Sequence, residues 1–109
     1  MNLHHLKVFL AVAQAGSVSR GAETLHISQP AVTREIRDLE ASLGLALFDR
    51  HPRGVTPTEA GKILYTHART ILRQCEQAQL AVNNVGQTLS GHVSIGLAPG
   101  TAASSITMP

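Results

Sequence analysis

Residues 26–44 read HISQPAVTREIRDLEASLG, and the fold turns on how that stretch distributes its polar groups. Ser28 carries the side-chain oxygen of a helix N-cap, and Pro30 falls in the first turn, where a missing N–H costs nothing. Ile27 before the cap and Val32 beyond it are spaced for a hydrophobic staple, and Gly44 supplies the stop. Between these limits Val32, Ile36, Leu39 and Leu43 draw one narrow apolar stripe with helical spacing. A turn of about 100° per residue carries Pro30, Thr33, Arg34 and Arg37 to the opposite face, with Gln29 at its flank. One face is built for burial and the other presents donors. A merely solvated face would have the same composition, so the neighbours of this helix decide its meaning.

Upstream, Leu6, Phe9, Leu10 and Ala13 make an amphipathic stripe within a helix expected from Leu3 to Ala15, ended by Gly16. Ser17 caps a short second helix from Val18 to about His26, with Ala22 and Leu25 facing inward. The few residues from His26 to Ser28 are too short a link for independent helices. The second and third must pack as a corner, the tri-helical arrangement that contains a helix-turn-helix.

Downstream, residues 45–61 read LALFDRHPRGVTPTEAG. Leu45, Leu47 and Phe48, then Val55, offer two short extended runs, and residues 51–54 (HPRG) between them form a turn. This predicts a hairpin with Arg50 and Arg53 at or near its tip. Such arginines can serve solubility alone, but beside a helix-turn-helix a hairpin is placed as a wing on the DNA backbone or minor groove.

Residues 56–59 (TPTE) are read as a capping box with Thr56 as cap, opening a helix that runs to Ser90 and closes at Gly91. Leu64, Ala68, Ile71, Cys75, Ala78, Val82, Val85 and Leu89 alternate by four and three, the repeat of a coiled coil. A helix of that span is about 50 Å long, more than a domain of this size can cover. Its first turns are expected to fold back on the N-terminal domain, and the rest to pair with a second copy. The small side chains of Ala68, Cys75 and Ala78 would let two axes approach. Gly86 costs roughly 1 kcal/mol against Ala and lets the end fray. Residues 92–97 (HVSIGL) alternate as a β-strand, but a lone strand has no sheet to join. The expected organisation is therefore a domain over 1–57, a helix over 58–90, and over 91–109 a hinge and first strand of a truncated α/β domain.

Bulk composition limits the choices. With 43% hydrophobic but only 3% aromatic residues in 109, the core is expected to be helical and aliphatic. Residues 1–59 hold Lys7, Arg20, Arg34, Arg37, Arg50 and Arg53 against Glu23, Glu35, Asp38, Glu40, Asp49 and Glu59, so bulk basicity cannot argue for nucleic acid. The positive groups must instead gather on one face. No signal peptide or membrane-length apolar run is seen, so a soluble, cytoplasmic protein is expected. One cysteine excludes an intrachain disulfide framework, and Cys75 reads as a small buried apolar residue.

The run GSVS (16–19), GAETL (21–25), HISQPAV (26–32), IRDLE (36–40), LGLALFDR (43–50) and GVTPTEAG (54–61) resembles the N-terminal region of LysR-type transcriptional regulators. Residues 54–109 resemble one member of that family in particular. The resemblance implies a mainly α fold: a winged helix-turn-helix, a long linker helix that dimerises antiparallel, and an α/β effector domain of which only the start is present. It assigns Ser28, Gln29, Pro30, Thr33 and Arg34 to the major groove and Arg53 to the wing, the same face that periodicity marks. Arg34 suits a bidentate contact to guanine, Gln29 to adenine, and Thr33 or Pro30 an apolar contact with a thymine methyl. Ser28 suits a phosphate. Arg37 suits either job, and Arg50 either joins them or pairs with a carboxylate within the domain. The implied partners are double-stranded DNA and a second copy through the linker helix. A tetramer and RNA polymerase are further candidates; no membrane, cofactor or small-molecule effector is expected for this chain. Two-fold symmetry then implies an inverted-repeat site.

The sequence leaves two rival classes. An interaction module with the same fold and no specific DNA is favoured by the even charge of residues 1–59. An enzyme is not expected, because His4, His5, His26, His51, His67 and His92 have neither metal-ligand spacing nor a Cys partner set, and no phosphate loop or nucleophile motif occurs.

Overall fold

The computed structural model describes residues 1–89, in the order α1 (Leu3–Ala15), α2 (Val18–Leu25), α3 (Gln29–Leu43), β1 (Phe48–His51), β2 (Gly54–Pro57) and α4 (Glu59–Leu89). The strand expected at 92–97 and the effector-domain start assigned to 91–109 lie outside the described residues.

Local chemistry sets each helix end. The Asn2 side chain accepts from the His5 N–H at 2.8 Å and starts α1; Gly16 ends it in the left-handed region at φ 71°. The Ser17 hydroxyl accepts from the Arg20 N–H at 3.1 Å and starts α2. That helix ends at His26, a non-glycine residue held at φ 58°, where the Ile27 N–H reaches the Ala22 carbonyl at 3.1 Å. The chain is thereby turned within three residues into Ser28, whose hydroxyl accepts from the Ala31 N–H at 3.2 Å to cap α3.

The three helices close on a core of Leu6, Val8, Phe9, Val12, Ala22, Val32, Ile36 and Leu39, joined by Leu47, Val55 and Ala68. Helix α1 is more deeply enclosed than its sequence stripe implies. Val8 and Val12 are fully buried, whereas Leu10 and Ala13 are only half-buried. The reason is tertiary: α1 is packed by α2 and α3 and also touches β2. Gly21 lets α2 approach α1 closely, since a Cβ there would lie 2.9 Å from Val12 Cγ2. On α3 the buried stripe ends at Leu39; Leu43, expected to continue it, is 40% exposed in the last turn.

The hairpin forms with antiparallel register Asp49↔Thr56 and Arg50↔Val55, leaving Pro52 and Arg53 at the turn. Its strands begin later than expected, because Leu45 is exposed and Leu47 leaves the sheet to enter the core at 1% exposure. The Phe48 ring lies 5.2 Å from that of Phe9, fastening β1 to α1. Strand β2 is tied to the end of α1 by the Val55 N–H on the Gly16 carbonyl at 3.0 Å.

The cap of α4 also differs from the capping-box reading. Pro57 is the last residue of β2, and Thr58, not Thr56, caps the helix: its hydroxyl accepts from the Gly61 N–H at 3.1 Å and donates to the Ala46 carbonyl at 2.7 Å. Strand pairing takes Thr56 and Pro57 before the helix can use them.

The chain divides into two compact units, Met1–Leu72 and a second that begins at Arg73, so the first extends past the boundary expected at 57. Ala60, Leu64, Tyr65 and Leu72 pack against the core, and Ala68 is 0% exposed in a single chain. The expected dimer stripe therefore begins inside the protomer's own core. Leu64 and Ala68 belong to the protomer's own core, as the expectation that the first turns fold back allows. Ile71 is 36% exposed. In the second unit Cys75 is half-buried, Ala78 and the large apolar Val82 and Val85 are exposed, and the burial of Leu89 is not described.

Candidate nucleic-acid interface

Helix α3 divides its faces as its periodicity requires. Val32, Ile36 and Leu39 are buried, while Ser28, Gln29, Pro30, Arg34 and Arg37 are exposed and Thr33 is half-buried at the edge. Gln29, Pro30, Thr33, Arg34, Arg37 and Asp38 share one open face of α3. Five of the residues marked by sequence thus come together there, and Ser28 stands at the helix start beside them. Asp38, one turn beyond Arg34, was not anticipated; its i, i+4 spacing from Arg34 was the available signal. A carboxylate there opposes phosphate but can accept from a cytosine amino group.

Of the six carboxylates in residues 1–59, three are engaged elsewhere in the fold, while Asp38 shares the face of Arg34 and Arg37. Glu35 faces α1, where its Oε1 lies 3.1 Å from His5 Nε2 and 3.8 Å from His4 Nε2. Glu40 accepts the Leu47 N–H at 2.7 Å, and Glu59 pairs with Lys62 at 3.9 Å. By contrast Arg34, Arg37, Arg50 and Arg53 have no ion-pair partner among the described residues. Their charge is left to act outward, which bulk counting could not reveal.

The wing adds two arginines at different places. Arg53 is exposed at the turn, where its N–H donates to His51 Nδ1 at 3.3 Å. Arg50 is also exposed, and it lines a cleft between α3 and the hairpin with Arg37, Glu40, Phe48 and Val55. Its expected alternative, pairing with a carboxylate, is not what the described residues adopt. Gly54 sits at φ 140°, and a Cβ there would collide with the Gly16 carbonyl oxygen, so the wing root needs glycine.

Among the described residues no group of three or more His, Cys, Asp or Glu side chains could hold a metal ion, and no helix is long and apolar enough to cross a membrane.

A three-helix unit whose second and third helices meet in a tight corner, followed by a two-stranded wing, defines a winged helix-turn-helix protein. Residues 3–62 match the model for bacterial regulatory helix-turn-helix proteins of the LysR family, and the chain belongs to that family. It is 68% identical over 109 residues to the nitrogen assimilation regulatory protein nac of Klebsiella aerogenes, covering all of this chain and 36% of the relative. Likeness to one member was expected for residues 54–109; the match spans the first half as well. The chain spans about a third of the length of the curated relatives it matches first. Among solved structures it is similar to the CbnR_DBD–DNA complex, with a TM-score of 0.75 and 38% identity over 79% of this chain and 99% of that one. It is also similar to the BenM_DBD/catB site 1 DNA complex, with a TM-score of 0.77 and 34% identity over 79% of this chain and 97% of that one.

Proposed function

We propose that the chain is the DNA-binding part of a LysR-type transcriptional regulator, acting in the cytoplasm as a homodimer on an inverted-repeat operator. The observation that carries this reading is the exposed front of α3, where Gln29, Pro30, Thr33, Arg34 and Arg37 share one open face and the arginines lack ion-pair partners among the described residues. The likeness to two domains solved with DNA supports it.

In this reading the first turns of α3 enter the major groove. Arg34 donates both guanidinium edges to guanine O6 and N7, Gln29 pairs with adenine, and Thr33 or Pro30 packs on a thymine methyl. Ser28 and Arg37 hold phosphate, and Arg50 and Arg53 hold the backbone from the wing. The exposed Val82 and Val85, with Ala78, Cys75 and Ile71, form the dimer seam of α4. Dimerisation is part of the mechanism, since one copy reads too few base pairs.

Selection of sites from a random duplex pool, followed by titration at increasing salt, tests the reading. An inverted-repeat consensus and an affinity that falls steeply with salt are expected. A chain that associates with itself yet enriches no sequence would support the interaction module instead.

A further inference from the structure

We infer that Glu35 is a positioning residue for the recognition face: it fixes the rotation of α3 against α1 through His5. The inference rests on the DNA-binding reading of α3. The apolar stripe of Val32, Ile36 and Leu39 holds the helix to the core, but apolar contact is non-directional and resists a small rotation weakly. The side-chain envelope of a helix has a radius of about 5 to 6 Å, so a rotation of about 10° moves its rim about 1 Å. A bidentate contact to a base edge tolerates about half that displacement. Something directional must therefore index α3 about its axis.

Two carboxylates of α3 do so: Glu40 accepts the Leu47 N–H at 2.7 Å toward the C-terminal end, and Glu35 is the one beside the base-reading arginine. It follows Arg34 directly, about 100° round the helix, and points to α1 rather than to the face shared by Gln29 and Arg34. Its Oε1 lies 3.1 Å from His5 Nε2, with His4 Nε2 at 3.8 Å on the outer side. His5 is itself fixed. Its side chain is 15% exposed, and its backbone N–H is held by Asn2 Oδ1 at 2.8 Å. Its Nδ1 is buried without a hydrogen-bond partner among the described residues, so the polar anchor of this ring is the carboxylate of Glu35. A largely buried ring with one polar contact makes that contact a register pin. The pin joins the start of α1 to the residue adjacent to the base-reading arginine.

The test compares wild type, Glu35→Gln, Glu35→Ala, His5→Ala and the double alanine variant of the whole chain, each bound to a selected duplex and to random duplex. Loss of a negative charge raises affinity for any duplex, and the ratio of the two affinities removes that effect. Glu35→Ala should lower the ratio about fivefold or more, whereas Glu35→Gln, which keeps an oxygen for the His5 N–H, should stay within about twofold of wild type. The loss in the double variant should fall short of the product of the single losses. Thermal unfolding of each variant shows which are folded, and His5→Ala removes the pin without touching α3. Equal ratios in all variants, or the same loss with Gln as with Ala, would overturn the inference. A wild type that prefers no sequence would overturn the DNA-binding reading and this inference with it. A discriminating wild type and an equally discriminating Glu35→Ala would overturn this inference alone.

Discussion

Arg34 and Arg53 are both exposed and both lack an ion-pair partner among the described residues, yet they stand on different elements, α3 and the wing turn. In the proposed reading a guanidinium on the first turns of α3 reads a base edge, and one on the wing turn meets phosphate. We expect Arg34→Ala to cost about 1 to 3 kcal/mol on the selected site and to relax preference at one base pair. Arg53→Ala should weaken selected and random duplexes alike and reduce the salt slope by about one. Parallel titrations of the two variants on both duplexes separate these outcomes; identical behaviour would remove the division of labour. A second residue-scale prediction concerns His26, which holds the left-handed turn between α2 and α3 at φ 58°. His26→Ile places a β-branched side chain in a conformation it resists and should lower stability by about 1 to 2 kcal/mol in chemical unfolding. An unchanged midpoint would show that the turn relaxes.

At the scale of the element, α4 carries one continuous apolar repeat that serves two purposes. Ala68 is enclosed by the protomer core, whereas Val82 and Val85 are exposed. Ala68→Glu should therefore destabilise the protomer by more than about 3 kcal/mol, because the charge has no buried partner. Val82→Glu combined with Val85→Glu should leave the Met1–Leu72 unit folded and weaken self-association by at least about tenfold. Circular dichroism melts and sedimentation of the two variants check this. Sedimentation of the Val82 and Val85 variant that matched wild type would place the seam elsewhere. The spacing of the repeat was legible in the sequence, but periodicity alone does not say whether a stripe meets its own domain or another chain. The answer came from the tertiary fold, in which Ala68 is buried as a member of the protomer's own core.

For the Met1–Leu72 unit taken whole, the wing and the helices are one object because Gly54 lies against Gly16 and the Val55 N–H reaches its carbonyl. Gly54→Ala should separate them. We expect a loss of about 1 to 3 kcal/mol in stability and weaker binding to every duplex, with base preference retained, since α3 keeps its own cap and core contacts. A change of preference in site selection would contradict that independence. The sequence by itself determined the helix starts at Ser17 and Ser28, the stops at Gly16 and Gly44, the hairpin turn, and the face shared by Gln29, Thr33 and Arg34. Each follows from hydrogen bonding, backbone conformation or periodicity within a few residues. Tertiary structure alone decided that α1 is buried on more than one side, that Thr58 rather than Thr56 caps α4, and that Leu43 is exposed. It also decided that Glu35 turns to His5 on α1 and that Glu40 is taken by the Leu47 N–H. These outcomes depend on which surfaces meet across distant parts of the chain, and a local pattern holds no record of that.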